Sequence, residues 1–201
     1  MTANNIRLPG HKIILRDWLE ADLPIYACWL QPGQKWYQFD APYYPKPKAK
    51  DIPNIIEDIK INLNRGQVAI PRRRLVIAQK ESNEFIGLVT WYWQSRETDW
   101  LSIGIVIHDD SLWGQGLGFE ALGLWCDYLF QAMPYLMRLD LRTWSGNYAM
   151  IQLAKKVGFQ EEARFRMARI VNGEYFDAIG YGILREEWQH LYPNGFCPIC
   201  D

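Results

Sequence analysis

Residues 111–122 read "SLWGQGLGFEAL", with glycines at 114, 116 and 118 followed by a run of helical character. Two readings compete for this stretch. A glycine-rich turn at a helix start exposes consecutive N–H groups, and the helix dipole adds positive potential there, which suits a phosphate. A tight turn that merely lets a strand run into a helix uses glycine equally well. The two best-known phosphate loops do not fit. A P-loop ends in Gly-Lys-Ser/Thr, whereas Gly118 is followed by Phe119 and Glu120. A dinucleotide fingerprint is G-x-G-x-x-G within a parallel βαβ unit, whereas the spacing here is G-x-G-x-G. Taken alone, the cluster leaves cradle and turn both open.

The flanks supply context. Upstream, "RRRLVIAQK" (72–80), "EFIGLVTWYWQ" (84–94) and "WLSIGIVIHDD" (100–110) are β-branched segments joined by short polar turns. Connections this short predict an antiparallel meander. Downstream, Leu122, Trp125, Leu129 and Met133 keep helical spacing until Pro134. "LMRLDLRTW" (136–144) then reads as a strand reached by a crossover helix, hence parallel to the one before the glycines. "NYAMIQLAKKV" is a second helix closed by Gly158, and Asn172-Gly173 between alternating segments is a strong hairpin signal.

Nearer the N-terminus, "HKIILRDW" (11–18) predicts a first strand and "EADLPIYACWLQ" a short helix that Asp22 can cap. Residues 51–64 place Ile55, Ile56, Ile59 and Leu63 on one helical side. Residues 31–50 carry four prolines and five aromatics and read as a long loop, a kind that is usually functional. No repeat or linker divides the chain. The expectation is one α+β domain over 1–201, with 190–201 as a C-terminal tail.

Composition narrows the function classes. The 201 residues are 49% hydrophobic and 22% charged with a net charge of −1, values of a folded globular chain without a general nucleic-acid face. Arg72-Arg73-Arg74 is the one basic knot, read as a solvated strand start or a local anion contact. No run approaches the roughly 20 apolar residues of a membrane helix, and the N-terminus lacks a secretory pattern. A cytoplasmic protein without membrane or nucleic-acid partners is expected. Cys28 and Cys126 read as small hydrophobes. Cys197 and Cys200 supply two of the four ligands that a structural zinc needs, so no metal is expected.

With the flanks in place, the chain resembles the GNAT superfamily of acetyl-coenzyme A-dependent N-acetyltransferases. "WGQGLGFEA" (113–121) is similar to the W-G-x-G-x-(G/A)-x-E-A variant of the family's cofactor loop, found in the branch that includes the ribosomal-protein alanine N-acetyltransferases. "NYAMIQLAKKVGFQEEARFR" and "NGEYFDAIGYGILREEW" resemble that branch's later segments, in the expected order. The likeness runs from about residue 11 to 188. It implies a mixed, mostly antiparallel sheet with a splayed parallel central strand pair and flanking helices. It also implies an N-acetyltransferase that moves an acetyl group from acetyl-coenzyme A, its cosubstrate, directly to a primary amine. The acceptor would be a protein N-terminus or a small-molecule amine. The alternative is a non-catalytic acyl-coenzyme A binding or sensing module.

By that resemblance, Ile105, Val106 and Ile107 would pair with the pantetheine arm, with N–H groups near Val106 facing the developing oxyanion. Trp113, Gly114, Gln115, Gly116, Leu117, Gly118 and Phe119 would form the pyrophosphate seat. Asn147 would contact the pantetheine or a water, or cap its helix, and Lys155 or Lys156 would reach the phosphates. The proton-donating Tyr and Ser positions of the family fall on Ala154 and Met150. Asp99 and Ser102, with Asn147, are the catalytic candidates; His108 and Asp40 also fall near. Trp36, Tyr37, Phe39, Tyr43 and Tyr44 would build an amphipathic or cation-accepting wall for the amine. The final hairpin's exposed edge is compatible with a homodimer.

Overall fold

A computed structural model describes residues 5–66 and 69–196; the Cys197–Cys200 pair lies outside the described residues. The meander is present as β3 (Arg74–Gln79), β4 (Phe85–Ser95) and β5 (Trp100–Ile107), each antiparallel to the next. On one side it is extended by β2 (Ile13–Arg16) and a three-residue β1 (Arg7–Pro9), the latter too short to show in the sequence pattern. On the other side β6 (Arg138–Trp144) joins β5 in parallel, followed by β8 (Glu174–Leu184) and the edge strand β7 (Gln160–Val171). The sheet order is β1-β2-β3-β4-β5-β6-β8-β7, with β5–β6 its one parallel pair. The hairpin turn at Asn172-Gly173 takes positive φ at both residues, 52° and 83°, as a tight two-residue connection requires.

Period-two alternation sends strand residues to two faces. Ile13, Leu15, Leu75, Ile77, Leu101, Ile103, Leu139 and Leu141 belong to the main core. It is covered by α3 (Leu117–Ala132), α4 (Tyr148–Val157) and α5 (Arg185–Leu191). Trp125, Leu122 and Leu129, spaced along one stripe of α3, are fully buried there. The opposite face buries Val76, Ala78, Phe85 and Leu88 under α1 (Asp22–Trp29) and α2 (Ile52–Asn64).

Two charged groups are built into this frame. Asp22 does not cap α1: Ala21 holds that position, and Asp22 is buried, accepting two bonds from the Arg16 guanidinium at 2.7 and 2.8 Å. Glu120, the acidic residue of the glycine-loop motif, is also buried. Its carboxylate accepts from the N–H groups of Lys12 and Ile13 at 3.0 Å, fastening α3 to the start of β2. The close approach needs glycine at position 10, where a Cβ would meet Glu120 Oε1 at 1.8 Å.

Candidate active site

The parallel pairing of β5 and β6 stops early. Leu101, Ser102 and Ile103 pair with Leu139, Asp140 and Leu141, and beyond them β5 stays paired with β4 alone. The two central strands therefore part, and a cavity of about 540 Å³ opens in the gap, within the size range of small-molecule sites. It is lined by Ile103–Ile107 of β5, the glycine loop, Leu141–Trp144 of β6, Asn147 and the inner side of α4. The aromatic loop closes it through Trp36, Phe39 and Tyr43.

Hydrogen-bond direction along β5 decides which backbone groups face the gap. His108 N–H donates to Ile86 O of the β4 side at 2.9 Å. Bonding alternates along an antiparallel pair, so Val106, opposite Leu88, also points to β4. The N–H groups of Ile105 and Ile107 are the ones turned toward the gap. The Val106 N–H, near which an oxyanion contact is expected, thus faces β4 and not the gap. On the gap side, Ile107 O accepts a 2.9 Å bond from the Trp113 indole.

The glycine loop has the physical character of an anion seat. Gly114 and Gly116 hold φ of 75° and 83°, a region L side chains rarely adopt, and no atom lies within 4 Å of where their Cβ would stand. Gly116 caps α3 without any side-chain bond. Among the described residues, the N–H groups of Gln115 through Phe119 make no hydrogen bond within the protein. Five free donors at a helix start, with positive dipole potential, suit a pyrophosphate.

Cations stand nearby. Lys12 Nζ donates to Gln115 O at 3.1 Å, and Lys156 lies 4.7 Å from the Phe119 ring centre and lines the cavity. Lys155, one helical step away, is exposed and does not line it. Of the two lysines, the expected Lys155 thus stands off the cavity and its neighbour Lys156 on it.

Asn147 lines the cavity with both ends of its amide engaged. Its Oδ1 accepts from Met150 N–H at 3.1 Å, capping α4, and its Nδ2 donates to Phe39 O at 3.1 Å. Trp144 Nε1 donates to the same carbonyl at 3.0 Å, so β6 and α4 both grip the aromatic loop.

Two catalytic candidates fall away from the gap. Asp99 is an exposed turn residue before β5, at the end opposite the parting, and does not line the cavity. Ser102 is fully buried opposite Asp140 and does not line the cavity. Burial pushes the Asp140 carboxyl up. His108 is sealed among Tyr26, Trp29, Trp36 and Phe85, and burial lowers its pKa to about 4, so it is neutral at pH 7.

In the aromatic loop, Trp36, Phe39 and Tyr43 line the cavity, while Tyr37 and Tyr44 do not. Tyr37 donates its hydroxyl to Leu30 O at 2.8 Å, and burial raises its pKa to about 12. The sequence pattern did not single out Arg142, which joins the lining from the β6 side.

Residues 12–160 match the acetyltransferase (GNAT) domain family. The chain belongs to the GNAT acetyltransferase family. This GNAT chain is 24% identical over 113 residues to an uncharacterized SPbeta prophage-derived N-acetyltransferase, YokL, of Bacillus subtilis; the match covers 56% of the chain and 63% of that relative. Its fold is similar to the crystal structure of spermidine N-acetyltransferase from Vibrio cholerae in complex with coenzyme A and spermine. There the TM-score is 0.70 at 19% identity, covering 88% of this chain and 98% of that one. It is also similar to RimL, a ribosomal L7/L12 alpha-N-protein acetyltransferase, with a TM-score of 0.66 at 18% identity over 90% and 94% of the two chains. No helix among the described residues is long and apolar enough to cross a membrane.

Proposed function

We propose that this GNAT protein transfers an acetyl group from acetyl-coenzyme A to a primary amine within a ternary complex. The observation that carries the reading is the gap between β5 and β6 joined to a loop of unpaired N–H groups. The glycine loop suits a pyrophosphate, the parted strands offer edges to an amide-bearing arm, and the aromatic loop supplies a further wall.

Acetyl-coenzyme A supplies an acetyl group activated as a thioester. The N–H groups of Gln115–Phe119 hold the pyrophosphate, with Lys156 beside it. Ile105 and Ile107 offer a free backbone edge that would pair with the amide-bearing pantetheine arm. An N–H group on this edge that the arm leaves free would stabilise negative charge on the thioester carbonyl oxygen. The side chains of Ile103, Ile105 and Leu141 make the cavity wall between the parted strands apolar. Neither the Ala154 nor the Met150 side chain has an ionisable proton to donate. As the C–N bond forms and the C–S bond breaks, coenzyme A would leave as a thiolate and take up the proton that the neutral amine nitrogen gives up; with a thiol pKa near 8.5 no dedicated acid is required.

Spermidine and a ribosomal protein are the acceptors named for two structural neighbours, and both present primary amines. The test is release of coenzyme A from acetyl-coenzyme A against panels of small amines and of N-terminal peptides. Amine-dependent release supports transfer. Tight acetyl-coenzyme A binding with no acceptor-dependent release across both panels would replace it with the non-catalytic module.

A further inference from the structure

The aromatic loop already contains a bound cation. Lys46 Nζ lies 5.8 Å from the Trp36 ring centre and 5.5 Å from that of Tyr37. The same ammonium donates to the backbone oxygen of Asp40 and lies 3.4 Å from Asp40 Oδ2. Two aromatic faces, a carbonyl and a carboxylate thus surround one primary ammonium, a set suited to alkylammonium recognition. Trp36 and Asp40 also line the cavity, and Asp40 is the one acidic residue in that lining among the described residues. Arg142 and Lys156 are its basic members.

An amine acceptor reaches the gap as an ammonium, because a free alkylamine has a pKa near 10.4. In this cavity wall it finds one carboxylate, and that carboxylate is held by Lys46. The sequence "PKP" at 45–47 confines the lysine backbone on both sides, so the side chain is delivered to the cage from a restrained segment. The ion pair is half-open to water, with Asp40 51% and Lys46 25% exposed. Such pairs are weak, and the four-carbon stem lets the head swing away.

We infer that Trp36, Tyr37 and Asp40 form an alkylammonium site for the acceptor, and that Lys46 occupies it as an internal competitor until the acceptor displaces it. This deepens the acetyl-transfer reading and rests on it for the identity of the ligand as acceptor. The ligand class is a primary alkylamine carrying a second cationic nitrogen: one nitrogen enters the gap while the other stays in the cage. Neutral-tailed amines gain only the contacts of the gap.

The test is calorimetric titration with 1,4-diaminobutane and with spermidine in the presence of saturating coenzyme A. Wild type, Lys46→Met and Asp40→Asn are compared, and coenzyme A affinity is measured for each. Lys46→Met keeps the stem and removes the charge, so it is expected to bind the diamine about 5-fold more tightly than wild type. Asp40→Asn is expected to bind it about 5-fold more weakly. Unchanged or weaker binding by Lys46→Met, or no diamine binding by any of the three, overturns the inference. Acetyl-transfer assays on the same proteins separate the two readings. The expected binding pattern without transfer leaves the ammonium site standing and removes the transferase reading. Transfer to diamines with a KM indifferent to Lys46 and Asp40 does the reverse.

Discussion

The Trp113 indole N–H and the Ile107 carbonyl are 2.9 Å apart, and this bond ties the glycine loop to the last residue of β5. It joins the two halves of the proposed cofactor site, the free loop donors and the free strand edge, at a fixed offset. Phe39 meets the same indole edge-on at a 5.3 Å ring separation, so the aromatic loop rests on this joint as well. Trp113→Phe keeps the ring packing and removes the donor. A hydrogen bond of this kind contributes about 1 kcal/mol. Coenzyme A affinity is expected to fall about 5-fold by calorimetry, with thermal stability little changed. Unaltered affinity would mean that the joint does not position the loop.

His108 makes stability depend on pH in a defined direction. Its pKa drops from 6.5 to about 4 on folding because burial disfavours the imidazolium. Between those values the unfolded chain binds the proton and the native protein does not, so stability falls as pH drops from 6.5 toward 4. The His108 contribution lost across that window is about 3 kcal/mol. Urea unfolding of wild type and His108→Phe at pH 7 and pH 4.5 checks this. The variant is expected to lose markedly less stability on acidification, and parallel losses would place the pH sensitivity elsewhere.

Asn147 has two separable duties. Asn147→Ala removes the α4 cap and the tie to Phe39 O, at an expected cost of about 1–2 kcal/mol in stability. Asn147→Asp keeps an acceptor for Met150 N–H and loses only the donor to Phe39 O. The aspartate is expected to restore most of the melting temperature while leaving the acceptor KM raised, because the aromatic loop is released. Equal melting temperatures for Ala and Asp would show that the cap contributes little.

The buried Arg16–Asp22 pair is a stability element apart from the cavity. Asp22→Ala leaves an arginine that is 4% exposed without its carboxylate, at an expected cost of about 3–5 kcal/mol. Arg16→Met with Asp22→Leu removes both charges and is expected to recover most of that loss in urea unfolding. A double variant as unstable as the single one would assign the cost to packing instead.

The features legible in the sequence are those governed by local chemistry. Asn172-Gly173 can form only a tight turn, Pro134 ends α3, and Asn147 and Gly158 bracket α4 through a side-chain cap and a left-handed residue. The glycines that let the loop before α3 turn with positive φ at Gly114 and Gly116 stand out in the sequence as well. What escaped depends on contacts distant in sequence. Glu120 reaches Lys12 and Ile13 across 108 and 107 positions, and Asn147 reaches Phe39 across 108. The choice between Lys155 and Lys156 turns on a single helical step. Asp99 and Ser102 lie on the same strand approach as the gap, but only the point where β5 and β6 part shows which end is open. Nothing local in the proline-rich loop marks Lys46, because the cage around it forms only when that loop folds back.

Acetyl-coenzyme A titration of wild type and Gly118→Trp tests the cofactor seat most directly. Gly118 has ordinary helical backbone, and a Cβ there meets the flexible tip of Leu153 at 3.3 Å, so an indole grows into the cavity between α3 and α4. Saturable binding by wild type and a loss of about 100-fold or more in the variant, both folded by circular dichroism, is the expected result. Equal affinities would contradict the assignment of the loop and gap to coenzyme A.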